Sequence, residues 1–199
     1  MKFYSFARGL CRLYLKTFRR WEIEGEENIP SQGPVIIASN HISYLDPVVV
    51  GCAFNREISF LAKEELFEIP ILRTIISNLN AFPVKRGSGD RGAIRAALEL
   101  LAQGECFGIF PEGHRNRTQA PLTPFKAGVA LLAIKSGAPV LPVALDGTKG
   151  FFSRVRIKIG PPISMEDRGK KLDKSKMATL TDQVETAVSL LLGKLAKDQ

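Results

Sequence analysis

Strand-like and helix-like segments alternate along most of this chain, and this alternation restricts its fold more than any other feature. Short apolar runs are followed by segments of helical length, with turn residues between them. The predicted strands are residues 35–38, 58–62, 82–85, 106–110, 140–145 and 155–159, with 21–24 as a candidate edge strand. The predicted helices are residues 47–54, 70–77, 91–103, 125–136 and 175–195. This order predicts an α/β fold with a central, mostly parallel or mixed sheet that is covered by helices.

The length and composition favour a single domain. A chain of 199 residues with 45% hydrophobic residues is long enough to bury one sizeable core. Its three cysteines, Cys11, Cys52 and Cys106, are widely spaced and form no CxxC pair, so we expect reduced thiols, two of them buried. The net charge of +8 indicates an anionic partner, which could be nucleic acid or a lipid surface.

The charge pattern of the N-terminus favours a lipid surface. On a helical wheel, residues 1–21 separate into an apolar arc of about 140° and an opposite basic arc of about 120°. The apolar arc contains Phe3, Phe6, Leu10, Leu13, Tyr14, Phe18 and Trp21. The basic arc contains Lys2, Arg8, Arg12, Lys16, Arg19 and Arg20. Such a helix is typical of membrane interfaces, so we predict a membrane-surface helix over residues 1–20, followed by a domain over residues 21–199.

Other interpretations of this helix remain open. It could instead dock on the core as an ordinary amphipathic helix, or share its apolar face between core and lipid. A transmembrane span is not expected, because no apolar run approaches the ~20 residues that a bilayer requires. A secretory signal is not expected either, since charges interrupt the apolar stretch.

A histidine and an aspartate lie five residues apart directly after the first buried strand. Neither a helix nor a strand would bring His41 and Asp46 together, so their cooperation requires a turn. Pro47 provides a reason for one, because proline restricts the residue before it and is favoured at the first helical position. A carboxylate that orients an imidazole would leave the other ring nitrogen free to accept a proton. Ser43 is a weak candidate nucleophile, because no GxSxG pattern surrounds it.

Basic residues follow three further strands. Lys63 follows the second main strand, Arg86 follows the third, and Arg115 follows the fourth in the segment Pro111-Glu112-Gly113-His114-Arg115. Each could be a solvated surface charge. Together at successive strand ends, arginine forks and a lysine charge suit a phosphate group.

These segments resemble the motifs of the glycerophospholipid acyltransferase family, especially those that acylate 1-acylglycerol 3-phosphate. The similarity extends from about residue 21 to 161. The matching blocks, in order, are Asn40-His41-x4-Asp46, Phe82-Pro83-Val84-Lys85-Arg86, Phe110-Pro111-Glu112-Gly113-His114-Arg115 and Val140-Leu141-Pro142-Val143. Two departures stand out: His114 replaces a more usual Thr or Ser, and Asn80-Ala81 precede the second block where glycine is common.

The resemblance implies an acyltransferase that forms phosphatidic acid from lysophosphatidic acid, with acyl-CoA or acyl carrier protein as the acyl donor. It implies that His41 is the base and Asp46 its orienting carboxylate. Lys63, Arg86 and Arg115 would hold the acceptor phosphate, Glu112 would order these basic side chains, and Gly113 would belong to the same substrate-binding site. No cofactor or metal is expected. The expected location is the cytoplasmic face of the cell membrane, in peripheral or monotopic contact with anionic lipids.

Two alternatives remain. A related acyltransferase could act on glycerol 3-phosphate or on a lysophospholipid with a larger headgroup. A non-catalytic protein that binds anionic lipids would explain the charge and the N-terminal helix, but not the His41–Asp46 pair. A nucleic-acid partner is not expected, since no recognisable module or aromatic stacking strip is present.

Overall fold

The computed structural model describes residues 2–84, 91–164 and 173–197. Helices and strands alternate along the chain after the first helix. The helices are α1 (Lys2–Phe18), α2 (Asp46–Ala53), α3 (Pro70–Asn78), α4 (Arg91–Ala102), α5 (Gly128–Ser136) and α6 (Lys174–Lys197). The strands are β1 (Glu22–Glu24), β2 (Val35–Ser39), β3 (Ile58–Lys63), β4 (Ala81–Val84), β5 (Cys106–Ile109), β6 (Val140–Asp146) and β7 (Arg156–Ile159).

The seven strands of the described residues form one mixed sheet in the order β1-β7-β6-β2-β5-β3-β4. Within the described ranges, β6 and β7 pair antiparallel and the other neighbouring strands pair parallel. The parallel strands β2, β5, β3 and β4 therefore end at the same edge of the sheet. This arrangement confirms the predicted α/β fold with a mixed central sheet.

Helices cover both faces of the sheet, which explains why the central strands are apolar without alternation. Strand β2 is buried along its whole length. Its residues Val35 and Ile37 pack with α2 and Leu15 of α1 on one face. Its residues Ile36 and Ala38 pack with α4, α5 and α6 on the other face.

Helix α1 docks on the core in an orientation that the helical wheel does not predict. Tyr4 and Leu15 are buried, whereas the apolar arc faces outward. Several side chains of that arc are between 43% and 71% exposed: Phe3, Phe6, Leu10, Leu13 and Phe18. The amphipathic character is as predicted, but the buried side of the helix is neither its apolar arc nor a purely apolar face.

Arginines of the basic arc explain this orientation. Arg8 Nη1 donates to the carbonyl oxygens of Phe54 and Asn55 at 3.2 and 3.0 Å, and Arg12 Nε donates to Cys52 O at 2.8 Å. These carbonyls belong to the C-terminal end of α2 and the residues after it, where helical hydrogen bonding stops and cations are favoured. The guanidinium groups therefore satisfy acceptors within the protein.

The boundaries of the other elements agree closely with the predictions, and two shifts have visible causes. Helix α5 begins at Gly128 rather than at Phe125, since the N–H of Phe125 donates to Glu185 Oε2 of α6 at 2.7 Å. Strand β7 begins one residue after Val155, because the N–H of that residue donates to Arg19 O.

Two cysteines are buried and one is half-buried, as the composition led us to expect. Cys52 and Cys106 lie in the core, and Cys11 packs against it from α1. A hydrogen bond with Cys52 lowers the pKa of the Cys11 thiol, and the same contact, together with burial, raises the pKa of Cys52. Burial raises the pKa of Cys106 to about 11.

Candidate active site

The polar residues singled out in the sequence gather at one edge of the sheet. His41 follows β2, Glu112 follows β5, and Lys63 is the last residue of β3. Because these strands are neighbours and run parallel, their carboxyl ends place the three residues along the same edge. Arg86 follows β4 in sequence but lies outside the described residues, together with Lys85.

His41 and Asp46 meet through a tight turn, as the spacing and the proline predict. Asp46 is the first residue of α2, directly before Pro47, and its Oδ2 lies 2.8 Å from His41 Nδ1. The same oxygen accepts the backbone N–H groups of Ile42 and Ser43, both at 2.7 Å. An oxygen that already accepts two N–H groups favours an Nδ1–H donor on the ring, which leaves Nε2 as the acceptor.

Asp46 is fully buried, whereas His41 retains 8% exposure. Asp46 Oδ1 has no hydrogen-bond partner among the described residues. The carboxylate is therefore oriented entirely through Oδ2, which accepts one side-chain and two backbone donors. Ser43, the weak candidate nucleophile, is engaged in the turn: its Oγ accepts the N–H of Leu45 at 3.2 Å.

An aromatic stack holds the imidazole from the side. The ring of Phe110 stacks on His41 with centroids 4.2 Å apart, and Phe60 stacks on Phe110 at 5.8 Å. Gly108 makes room for the stack, because a Cβ at this position would lie 2.1 Å from the ring of Phe60. The stack leaves His41 little freedom to rotate away from Asp46.

Glu112 connects the loop after β2 to the loop after β5. Its Oε1 accepts the backbone N–H of His41 at 2.6 Å. Its Oε2 accepts both the N–H of Thr123, at 3.0 Å, and the Thr123 hydroxyl. The N–H of Asn116 also donates to His41 O at 2.6 Å. Glu112 is 1% exposed, so these bonds form where water competes weakly.

Asn40 ties the same loop to the strand on the other side of β2. Its Nδ2 donates to Leu145 O at 2.9 Å, and its Oδ1 accepts the N–H of Leu145 at 2.8 Å. The side chain thus pairs with β6 in the manner of another backbone residue. The position of His41 is therefore determined on both sides, by β5 through Glu112 and by β6 through Asn40.

The basic side chains lie at the rim of this edge. Lys63 is exposed and its Nζ lies 2.7 Å from Glu65 Oε1. Arg115 is half-buried, and its guanidinium carbon lies 3.4 Å above the ring centroid of Tyr44. Gly113 adopts φ 75°, and a Cβ there would lie 2.7 Å from Lys126 Nζ. The hydrogen bonds of Glu112 within the described residues go to the backbone and to Thr123, not to these basic groups.

Three contributors to the site are absent from the sequence-based prediction. Phe110 belongs to a quoted motif, but only the fold shows that it stacks on His41. Tyr44, between His41 and Asp46, supports Arg115. Thr123 carries no sequence signal at all. Over the described ranges, no group of three or more His, Cys, Asp and Glu side chains is placed to hold a metal ion.

This arrangement is suited to proton transfer. A histidine with one nitrogen bound to a buried carboxylate can accept a proton on the other, and the carboxylate stabilises the imidazolium that results. Cationic side chains at the rim favour an anionic substrate. Together these features define an α/β protein with an oriented His–Asp pair at the carboxyl edge of its sheet.

Comparison with known proteins identifies the family within that class. The family model described as Acyltransferase matches residues 20–146, which extend from the end of α1 to the end of β6 and include the His41–Asp46 pair and Glu112. The chain therefore belongs to the acyltransferase family.

Individual relatives agree with this assignment. A protein of Bacillus subtilis named 1-acyl-sn-glycerol-3-phosphate acyltransferase is 28% identical over 198 residues, covering 96% of this chain and 98% of the relative. A protein of the same name from Streptococcus pneumoniae is 30% identical, covering 92% of this chain and 71% of the relative. The crystal structure of the 1-acyl-sn-glycerophosphate acyltransferase from Thermotoga maritima is similar with a TM-score of 0.78, at 30% identity, covering 97% of this chain and 79% of the other.

Proposed function

We propose that this protein transfers a fatty acyl group from an acyl thioester to the sn-2 hydroxyl of 1-acylglycerol 3-phosphate, which yields phosphatidic acid. The observation that carries the proposal is the 2.8 Å contact between His41 Nδ1 and the buried carboxylate of Asp46. The names of the relatives support the choice of acceptor. The thioester carrier is coenzyme A or acyl carrier protein.

His41 acts as the general base in this proposal. Its Nε2 removes the proton of the acceptor hydroxyl as the hydroxyl oxygen attacks the thioester carbonyl carbon. The tetrahedral adduct collapses with cleavage of the C–S bond, and the imidazolium returns the proton to the departing sulfur. Asp46 stabilises the imidazolium during these steps. The acyl group passes directly between substrates, so no acyl-enzyme forms.

Lys63, Arg86 and Arg115 bind the phosphate of the acceptor in this proposal. Arg115 rests on the ring of Tyr44, which reduces its freedom and presents a planar donor fork suited to phosphate oxygens. Glu112 and Gly113 shape the loop that carries Arg115. The buried contacts of Glu112 with His41 and Thr123 support a positioning role for this carboxylate.

The acceptor and the product are lipids, so we place the protein on a membrane, with its N-terminal helix of residues 1–20 at the surface. Among the described residues, no helix is both long enough and apolar enough to cross a bilayer. The outward apolar side chains of α1, including Phe6 at 71% and Leu13 at 62% exposure, provide the contact. We place this contact at the cytoplasmic face of the cell membrane, where anionic lipids attract a basic protein.

The decisive experiment is an acyl-transfer assay with purified protein and a labelled acyl donor. Lysophosphatidic acid, glycerol 3-phosphate and lysophosphatidylcholine are offered side by side, each with acyl-CoA and with acyl-loaded carrier protein. We expect transfer to lysophosphatidic acid, and none from His41→Ala. The matched control is His114→Ala, which removes the other histidine, an exposed residue of the loop after β5.

The outcomes separate the alternatives. Preferred transfer to glycerol 3-phosphate or to lysophosphatidylcholine would identify a related acyltransferase with a different acceptor. Vesicle binding without any transfer would identify a non-catalytic lipid-binding protein. Substantial turnover by His41→Ala would refute the proposed base.

The phosphate role is tested by the KM for the acceptor. We expect Arg86→Ala and Arg115→Ala to raise this KM at least tenfold, because each removes a charge-assisted contact worth about 1.5–3 kcal/mol. Arg117→Ala is the matched control, since Arg117 is an exposed arginine two residues further along the same loop. An unchanged KM in the first two variants would contradict their phosphate role.

A further inference from the structure

The loop between β6 and β7 exposes two adjacent phenylalanines. Phe151 and Phe152 are 79% and 74% exposed, and Phe151 has the largest exposed fraction among the bulky apolar side chains of the described residues. Their rings contact each other with centroids 6.3 Å apart. Exposure of two neighbouring aromatic rings to water is unfavourable in free energy. Their exposure therefore depends on a loop conformation that keeps both side chains away from the core.

Several contacts hold this loop in shape. Arg19, at the end of α1, is 2% exposed and donates from Nε to Ser153 O and from Nη2 to Gly147 O, both at 2.8 Å. Gly147 adopts φ 69°, and a Cβ there would lie 1.8 Å from Arg154 O. The Ser153 hydroxyl donates to Lys149 O at 2.6 Å. The two phenylalanines are thus presented by a braced loop rather than by a free segment.

The loop is continuous with the outward face of α1. Tyr14 donates from Oη to Phe151 O at 3.3 Å. The ring of Tyr14 contacts that of Phe18, 55% exposed, with centroids 5.7 Å apart. The hydroxyl of Tyr14 therefore connects the aromatic pair on α1 to the backbone of the loop that carries Phe151 and Phe152. We call the exposed aromatic pair Phe151–Phe152 the loop tip.

Basic side chains accompany this apolar surface. Lys16 and Arg20 of the α1 segment are exposed, and so is Lys149 at the start of the loop. Surfaces that combine aromatic rings with flanking lysine and arginine side chains are typical of protein segments that insert into the headgroup region of an anionic leaflet. We propose that the loop tip is a second membrane-contact site that inserts into the anionic leaflet beside α1 and, through Arg19, fixes the tilt of the domain on the bilayer.

This inference rests on the proposed function, because a lipid acceptor is the reason for membrane contact. It adds a contact that the N-terminal helix does not provide. A helix axis and a contact point away from it together define a plane, whereas one helix alone permits rotation about its own axis. The loop tip would thereby set how the edge that carries His41 faces the lipid surface.

Fluorescence tests the contact directly. Trp21 is the chain's single tryptophan, so Trp21→Phe provides a silent background for Phe152→Trp. On vesicles that contain phosphatidylglycerol, we expect a blue shift of this reporter and quenching by lipids brominated in their acyl chains. The matched control, Leu190→Trp in the same background, replaces a 63% exposed side chain on α6, which packs on the opposite face of the sheet from α1. We expect neither change there.

A partition measurement gives the size of the effect. We expect Phe151→Ala with Phe152→Ala to weaken vesicle partition at least tenfold, and Leu190→Ala to leave it unchanged. Turnover of vesicle-borne acceptor should fall relative to turnover of a dispersed short-chain acceptor, a ratio that isolates the membrane step.

Unchanged partition, or a reporter unaffected by vesicles, would overturn the inference. A blue shift that follows protein concentration without vesicles would also overturn it, in favour of a second copy of the chain. Failure of the dispersed assay in the unmodified protein would instead count against the proposed activity.

Discussion

Replacement of Asp46 by asparagine separates the charge of this side chain from its hydrogen bonds. Asp46 Oδ2 accepts His41 Nδ1–H and the backbone N–H groups of Ile42 and Ser43, while Oδ1 has no partner among the described residues. In Asp46→Asn, the amide oxygen can occupy the position of Oδ2 and the amide nitrogen that of Oδ1. The three donors then keep an acceptor, and the histidine keeps its tautomer.

The expected magnitudes follow from this geometry. A hydrogen bond to a charged group contributes about 1.5–3 kcal/mol, against about 0.5–1.5 kcal/mol for a neutral pair. In Asp46→Asn, the imidazolium formed during transfer loses the ionic attraction of the carboxylate and the extra strength of a hydrogen bond to a charged group. Together these stabilise the imidazolium by about 1.5–3 kcal/mol, so kcat should fall by about 10- to 150-fold. The buried amide nitrogen lacks an acceptor, so the free energy of unfolding should fall by about 1–3 kcal/mol.

The assay compares Asp46→Asn, Asp46→Ala and His41→Ala in one preparation series. Each variant is measured for kcat with lysophosphatidic acid and for the free energy of unfolding in urea. Asp46→Ala leaves all three donors without their acceptor, so we expect it to be less stable than Asp46→Asn by about 2 kcal/mol or more and to approach His41→Ala in activity.

Two results would refute the reasoning. If Asp46→Asn retains more than half of the original kcat, the charge of Asp46 does not stabilise the imidazolium. If it is as inactive as His41→Ala while remaining folded, the amide has not preserved the orientation of the ring.

Three further perturbations test the framework around the pair. In Glu112→Gln, an amide nitrogen replaces either the oxygen that accepts the N–H of His41 or the oxygen that accepts from Thr123. The free energy of unfolding in urea should therefore fall by about 2–4 kcal/mol, and an unchanged value would contradict the observed bonds. Gly108→Ala should lower kcat at least tenfold with less effect on the KM, because its Cβ would displace the ring of Phe60 and with it the stack beside the imidazole; the steady-state parameters decide this. The thiol of Cys11 should be alkylated by iodoacetamide with a midpoint at lower pH than an ordinary cysteine, because its contact with Cys52 lowers its pKa and the thiolate forms above that pKa. Peptide mass spectrometry should show this midpoint rising in Cys52→Ala, and an identical midpoint in both proteins would contradict the contact.

Part of the candidate site could be predicted from the sequence. The spacing from His41 to Asp46 and the proline after it predicted a turn, and the turn is present with a 2.8 Å contact. The position of Glu112 after a strand was predicted, but its partners were not. Those partners depend on β5 lying beside β2 in the sheet, which is a matter of strand order rather than of local pattern.

The N-terminal helix also shows that a local sequence pattern does not predict the tertiary contacts of an element. Its amphipathic pattern is evident from the sequence. A helical wheel separates an apolar face from a basic face, but it does not show which of them packs on the core of the protein. Arg8 and Arg12 find carbonyl acceptors near the end of α2, and these acceptors turn the helix so that Phe6 and Leu10 face outward.

The sequence by itself determined the succession of elements and the turn that joins His41 to Asp46, because apolar periodicity and the proline restriction act over a few neighbouring residues. Only the tertiary structure decided the order of the strands, the outward direction of the apolar arc of α1 and the stack of Phe110 on His41. These features join residues far apart in the chain, and they depend on which donors, acceptors and rings the packed sheet brings within contact distance.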